Sequence, residues 1–527
     1  MAGRLSGGLE TTFAVLGATR NEAAVSPLLA ATHSPVREIR DAAFRALISQ
    51  RHLEAEKEVL KRWHELPYHW RLLLSERADW LSHAIKEAFS GGEPDQVHVA
   101  VDAAIKLRDY ELIPFFVSMC EEKGHNFPTE SGRALLALAE SLCEELQSPR
   151  DYRKRTDPQQ LRSFAIGSLE SATGRYQHHL RPEVLEGVLL LATRETATVK
   201  GILQAPCDRT FPALQELFLH SPRPQIQKLL LSYLDDHSAP LAAIHAIAKR
   251  DDITFLRQLC RRLSGELSPT VVANLKRIDN LAWLRDRSEL WYALSDQEQV
   301  GAVQLVERAS ILKDLALDAL TTALKSGGVS ARRAAAQALR RFQGAEANVV
   351  ALQTLNDQDA EVRVAITKQL RERRSASTVK ALVEQLDSPN AAERQAAQEQ
   401  LQEYSFARYV QVYDTLDDQS RSEMGKLVRK IDKTLLSGLI EELESSSKHH
   451  KRRAIEITEL FQMQAEVIPQ LQQLAQDDDS YVRGEAERLL TEACQPEAES
   501  AQASMPAPLP PSEGPISGAF DSSTTIP

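Results

Sequence analysis

The sequence predicts an all-α protein, an α-solenoid in which antiparallel helix pairs stack into a superhelix. Three observations carry that expectation. The chain is 43% hydrophobic, 26% charged and only 6% aromatic. Its apolar share is mostly Leu and Ala, set among many Glu, Gln and Arg. These are strong helix formers, whereas the β-branched and aromatic residues that favour strands are sparse. An arginine recurs at fixed spacing, at Arg332, Arg363 and Arg394, each 31 residues from the last. Ser, Asp and Pro stand between the apolar stretches, as tight turns between helices require. At 527 residues the chain has room for several globular domains or for one elongated array, and internal self-similarity favours the array.

The repeated unit reads as two helices joined by a turn. Twelve positions before the three arginines stand Leu320, Ala351 and Leu382, eight before stand Leu324, Leu355 and Leu386, and seven after stand Leu339, Leu370 and Leu401. Apolar residues at i, i+4 and often i+3 give each helix one stripe to bury. Six residues before the arginine comes Ser34, Ser326, Asp357, Ser388 or Asp477, whose side-chain oxygen is expected to cap the second helix. Proline follows in Ser34-Pro35, Ser221-Pro222 and Ser388-Pro389, where it suits a first helical position. Ala43, Ala335 and Ala397, three after the arginine, let helices approach closely. The frame recurs around Arg40, with Leu28 and Leu47, and around Arg483, with Leu471 and Leu490. A weaker copy has Gln227 at the arginine position, and another, LLSGLIEELESSSKHHKRRAIEITEL, is shifted in register.

This pattern, D/S-x-x-x-x-[VI]-R-x-x-A-x-x-x-L, resembles bacterial short HEAT-like repeats, including those grouped with phycobilisome lyases. Its best copies are Ser34 to Leu47, Asp357 to Leu370 and Asp477 to Leu490. It departs at Ile366, where a small residue is expected, and at Glu393, where an apolar one is. The spacing is shorter than the ~40–47 residues of the eukaryotic type. The resemblance implies the solenoid fold and an arginine that pairs with an acidic turn residue of a neighbouring repeat. It leaves function open, because such arrays serve many roles. Clear copies divide the chain into an N-terminal repeat region (1–50), degenerate helical repeats (51–210), a repeat array (211–493) and a Pro-, Ser- and Ala-rich tail (494–527) that cannot bury a core.

Net charge of −11 and a pI near 5.8 argue against a protein that mainly coats nucleic acid. Cys120, Cys143, Cys207, Cys260 and Cys494 form no CxxC pair, so they read as buried free thiols in a reducing compartment. No secretory leader is legible, and no apolar run reaches the ~20 residues of a membrane span. The expected location is cytoplasmic.

Candidate chemistry reduces to a few constellations. Deoxyhypusine hydroxylases, which are HEAT-type enzymes, cage iron with several His-Glu pairs. Here there is one, His64-Glu65, so neither a metal site nor a catalytic centre is expected. Trp63, His64, His69, Trp70 and Trp80 form the densest aromatic and imidazole cluster. It reads as packing at a helix junction, with a ligand platform as the alternative. His178-His179 and His449-His450 diverge on a helix and chelate poorly. No phosphate loop, nucleophile elbow or HExxH is present, and no cofactor is called for. Two basic clusters remain: Arg332, Arg333, Arg340 and Arg341 followed by Arg371, Arg373 and Arg374, and the KHHKRR run from Lys448 to Arg453. The first is the candidate partner-binding stripe. The expected function is a non-enzymatic scaffold or adaptor for protein partners. The alternatives are a lyase-type or other HEAT-repeat enzyme or regulator, and a nucleic-acid binder like the HEAT-like DNA glycosylases.

Overall fold

The computed structural model describes residues 6–494 apart from 20, 92, 150–156, 287, 374 and 403. Nearly all of the predicted tail, from 495 onward, therefore lies outside the described residues. Every regular element among those described is helical. The chain forms two compact units, Met1–Phe342 and Gln343–Pro527.

In the first unit helices stack in sequence order. Pro94–Leu107 packs on Pro128–Gln147, which packs on Pro182–Leu191; further along, Ile253–Leu263 packs on Asp296–Arg308 and that helix on Val329–Ala338. In the second unit Ala360–Thr367 packs on Ala391–Gln400, and Lys448–Leu460 on Ser480–Cys494. The repeated apolar positions face inward. Leu28, Leu47, Leu320, Leu339, Leu370, Leu382 and Leu471 are fully buried, each worth ~1.5–3 kcal/mol against exposure. Ala43, Ala335, Ala397 and Ile366, three after the arginine, have no exposed surface, so a small residue is the habit of that position rather than its requirement.

The register arginine has a local task. Arg40 Nη1 donates to the carbonyl of Ser34 at 2.8 Å, Arg363 to Asp357 at 2.6 Å, Arg394 to Ser388 at 2.7 Å and Arg483 to Asp477 at 2.8 Å. Each guanidinium thus reaches six residues back and closes its own turn, where helix-end carbonyls lack intrahelical partners. Arg332 does the same for Gly327, at 3.1 Å. Pairing with a neighbouring repeat is the second task. Arg363 Nε donates to Glu393 Oε1 at 2.9 Å, and Ser388 Oγ donates to Glu393 Oε2 at 2.6 Å. Glu393 is 3% exposed, so the departure from the apolar motif supplies a buried carboxylate on the second helix, not in the turn, that joins two repeats.

Two turn expectations need correction. Ser34, Asp357, Ser388 and Asp477 do sit in the turn, but their side chains accept from the N–H two residues on, at Val36, Asp359, Asn390 and Asp479. The capping side chains are Asp359, Asn390 and Asp479, accepting from Val362, Ala392 and Val482. The prolines accordingly fall in the turn, one residue ahead of the caps Val36, Arg223 and Asn390. Ser326 ends a helix and donates to Thr322 O at 2.8 Å. There the cap comes from the adjacent repeat: Asp296 accepts from Ala331 N at 2.9 Å and Ser330 N at 3.2 Å. Gly328 is required because a Cβ would lie 2.3 Å from Asp296 Oδ1.

The weak copy at Gln227 shows what happens without the arginine. Its amide oxygen accepts from Gln258 Nε2 at 2.8 Å, and its NH2 group finds no acceptor. The orphaned turn carbonyl, Ser221 O, is served instead by Arg250 of the following helix pair. Arg250 is 3% exposed. It donates to Phe218 O at 2.9 Å, to Ser221 O at 3.0 Å and to Asp252 Oδ2 at 2.8 Å, and stacks 4.7 Å from the Phe255 ring centre.

Candidate partner-binding surface

The predicted arginines divide between the units. Arg332 and Arg333 lie half-buried on Val329–Ala338, and Arg340 and Arg341 are exposed on the turn Leu339–Arg341 of the first unit. Arg341 Nε is 3.1 Å from Glu307 Oε1, and its Nη1 donates to Glu307 O at 3.2 Å. Arg371 is exposed in the second unit. Arg373 is not placed as a surface contact would be. It is buried, its Nη2 donates to Gln369 Oε1 at 2.7 Å and its Nη1 to Asn348 Oδ1 at 3.3 Å, and burial pushes its pKa below the arginine range. The cause is the short turn Arg371–Arg373, which directs this side chain back toward the preceding helices. Arg374 lies outside the described residues.

The KHHKRR run is occupied within its own unit. Lys451 Nζ is 2.6 Å from Asp477, Arg452 Nη2 2.8 Å from Asp479 and Arg453 Nη2 2.8 Å from Glu442. Lys448 is 3.8 Å from Asp479, His449 3.0 Å from Asp414 and His450 3.7 Å from Glu442. Lys451 holds the Asp477 carboxyl below its ordinary range, and Arg452 does so for Asp479. Cations neutralised at contact distance have little left for a phosphate chain.

The aromatic cluster is core. Trp63, Trp70 and Trp80 are all but fully buried. Each indole N–H meets an acceptor on another segment: Asp102 Oδ2 and Asp41 Oδ1, both at 2.8 Å, and Gln50 O at 2.6 Å. Trp70 stacks on Phe44 at 4.2 Å, and His69 Nε2 shares Asp41 Oδ1 at 2.8 Å. His64 sits 3.8 Å from Asp102. Among the described residues no three His, Cys, Asp or Glu side chains converge to hold a metal ion. Burial pushes the Cys120 thiol up to about 12 and raises Cys143 and Cys260 as well, the reverse of what a thiolate nucleophile needs. Cys207 is exposed. A wide-open depression of about 610 Å³, lined by Ser264, Gly265, Glu266, Leu267, Gln304 and Arg308, does not enclose a small molecule.

One surface constellation lay outside the sequence reading. Arg257 and Arg261, one turn apart on Ile253–Leu263, both address Glu298 on the adjacent helix. Arg261 Nε donates to Glu298 Oε1 at 2.7 Å, and Arg257 Nε lies 3.9 Å from Oε2. The Glu298 side chain is 3% exposed, while those of Arg257 and Arg261 are 46% and 66% exposed. Glu298 also accepts from Ser295 N at 2.9 Å, completing the capping box of its own helix. Burial alone would raise its pKa, but the Ser295 bonds and Arg261 hold it below the usual carboxylate range. Arg257 Nη2 donates to Ala293 O at 2.7 Å, next to Tyr292, which is 67% exposed. The i, i+4 arginine pair in ITFLRQLCRRL was visible in the sequence, but the carboxylate that orients it comes 37 residues after Arg261.

No helix among the described residues is long and apolar enough to cross a membrane. No curated protein matches the chain. Among solved structures it is similar to an engineered protein at 14% identity, over 89% of this chain and 99% of that one, with a TM-score of 0.20. It is also similar to a structure of the Pds5-Scc1 complex at 12% identity, over 95% and 80% of the respective chains, with a TM-score of 0.22. A circular tandem repeat protein aligns at 16% identity over 92% and 95%, with a TM-score of 0.12. Scores of this size establish no shared global geometry. The family description for HEAT repeats matches residues 316–402, the stretch that holds Arg332, Arg363 and Arg394 in register. The match is to HEAT repeats in general and does not extend to the phycobilisome-lyase type. With its helix pairs, its turn-closing arginines and this match, the chain is an all-α, HEAT-like repeat protein.

Proposed function

We propose that the chain is a non-enzymatic cytoplasmic scaffold or adaptor that binds protein partners along the exposed sides of its stacked helices. The observation that carries this is the side-by-side packing of Ile253–Leu263, Asp296–Arg308 and Val329–Ala338. It lays several helix faces next to one another, and an array of this kind recognises an extended partner through many modest contacts. Reactive groups elsewhere are taken up internally: three thiols are raised by burial, the tryptophan cluster is core, and the KHHKRR cations are paired. The same pairing counts against a nucleic-acid surface in the second unit. The reading extends the array through 51–210 as degenerate repeats, since cross-helix side-chain bonds there span 27 residues at Ser82–Asp109 and 39 at Trp63–Asp102.

Affinity purification from native lysate, with and without nuclease, followed by mass spectrometry tests the proposal. Stoichiometric protein partners should survive nuclease. Loss of every partner on nuclease treatment, or recovery of a small molecule alone, would overturn it.

A further inference from the structure

The geometry points to a specific seat on the first unit: Arg257 and Arg261, both drawn to buried Glu298, together with exposed Tyr292, the residue before the carbonyl that Arg257 meets, receive an acidic, extended segment of a partner protein. The inference rests on the scaffold reading and names the chemistry of its partner. Two guanidiniums draw on one carboxylate, so the pair of arginines is only half neutralised by Glu298 in a chain whose net charge is −11. Arg261 spends only its Nε on Glu298, and that bond fixes the plane of a guanidinium whose side chain is 66% exposed. A fork held this way forms bidentate bonds to a carboxylate with less ordering cost than a free side chain. Arg257 Nη2 is bonded to Ala293 O, the carbonyl of the residue after exposed Tyr292, and its Nε lies 3.9 Å from Glu298. Arginine and tyrosine are residues that carry binding energy at the centres of protein interfaces.

The spacing selects the ligand further. Side chains at i and i+4 of a helix stand about 6 Å apart, and alternate residues of an extended chain are separated by about 6.6 Å. A segment with Asp or Glu at alternate positions therefore places successive carboxylates opposite Arg257 and Arg261. A phosphate backbone is the competing ligand class, but a single pair of cations on one helix turn gives it few contacts, whereas its affinity grows with the number of phosphates neutralised.

The test is fluorescence anisotropy of the full-length protein with a fluorescein-labelled twelve-residue peptide of alternating Glu and Ser at low salt. The wild type should bind it and not the Gln–Ser counterpart. Arg257→Gln with Arg261→Gln should raise Kd at least tenfold, and Tyr292→Ala, which removes only an exposed ring, about threefold. Far-UV circular dichroism spectra of both variants at about 25 °C should match the wild type, which separates a lost seat from a lost fold; the double variant should melt lower, because buried Glu298 loses the cations that neutralise it. Equal Kd for wild type and double variant, no preference for Glu over Gln, or displacement of the peptide by an equimolar single-stranded oligonucleotide would overturn the proposal. If protein partners captured from lysate are retained equally by the double variant, this seat falls while the scaffold reading stands. A wild type that captures no protein partner fails the scaffold reading itself.

Discussion

Replacing Arg250 by alanine should cost about 3–5 kcal/mol, far more than truncating an ordinary polar side chain. The guanidinium is 3% exposed and donates to two carbonyls at the end of the helix Phe211–His220 and to Asp252. Each charged hydrogen bond contributes ~1.5–3 kcal/mol, and loss of the donor strands buried acceptors. The Asp252 side chain is 36% exposed, so water recovers part of that third interaction and it adds little. Repeat arrays need not unfold in one step, so the loss should be read locally, by hydrogen exchange of peptides covering 211–232 together with urea unfolding. Protection there should fall while peptides covering 37–49 are unchanged. Arg250→Lys should recover little, since one ammonium cannot span two carbonyls and a carboxylate. Adding Gln227→Arg to Arg250→Ala restores the residue that closes this turn in the other repeats, and should regain at least about 1 kcal/mol. A loss under about 1 kcal/mol for Arg250→Ala, or exchange that rises uniformly along the chain, would refute the idea that this arginine closes a turn not its own.

Gly301→Ala should destabilise the first unit by about 3 kcal/mol, because the added Cβ would meet Cys260 O at 1.8 Å; a urea midpoint within error of the wild type would contradict the helix approach described. Asp109 carries a pH signature. Burial raises its pKa from 3.8 to about 6, so its neutral form favours the folded state, and that stability, about 3 kcal/mol in size, is present below pH 4 and lost as pH rises through 6. Asp109→Asn should therefore flatten the stability profile between pH 4 and 7 and raise stability at pH 7.5, less whatever the Ser82 bond contributed; a variant with an unchanged pH profile would sink the assignment. Asp41→Ala removes the shared acceptor of Trp70 and His69 and should cost about 2 kcal/mol with a changed tryptophan emission spectrum. Wild-type emission and midpoint would mean that the indole is not held there.

The architecture was legible because it is written several times. Leu320, Leu382 and the turn arginines repeat at one spacing, and a period reports whatever each unit does for itself. Turn closure by Arg40, Arg363, Arg394 and Arg483 belongs to that class. What one unit does for another leaves no period. Arg250 serving Ser221, Asp296 capping Val329–Ala338 and Glu393 joining Arg363 to Ser388 are single events, two of them across a repeat boundary from the turn they serve. Glu393 breaks the apolar motif, and its purpose shows only once Arg363 is set against it. The cap fell two residues from its expected place because Ser and Asp bond equally well to the turn and to the helix start, a choice decided by backbone angles. The candidate stripe suffered similarly: a run of arginines records charge, and only coordinates separate buried Arg373 from exposed Arg371. Arg257 and Arg261 went unread because their meaning depends on Glu298.

The borrowed arginine also limits how the molecule can be cut. A helix pair that closes its own turn is a separable module, open to excision, duplication or exchange with its neighbours. The pair spanning 211–232 is not. A fragment ending between Ser232 and Leu241 would keep every apolar contact inside that pair and still lose the donor for Ser221 O, so truncation there should leave this turn open, whereas one placed after Leu263 should leave it closed.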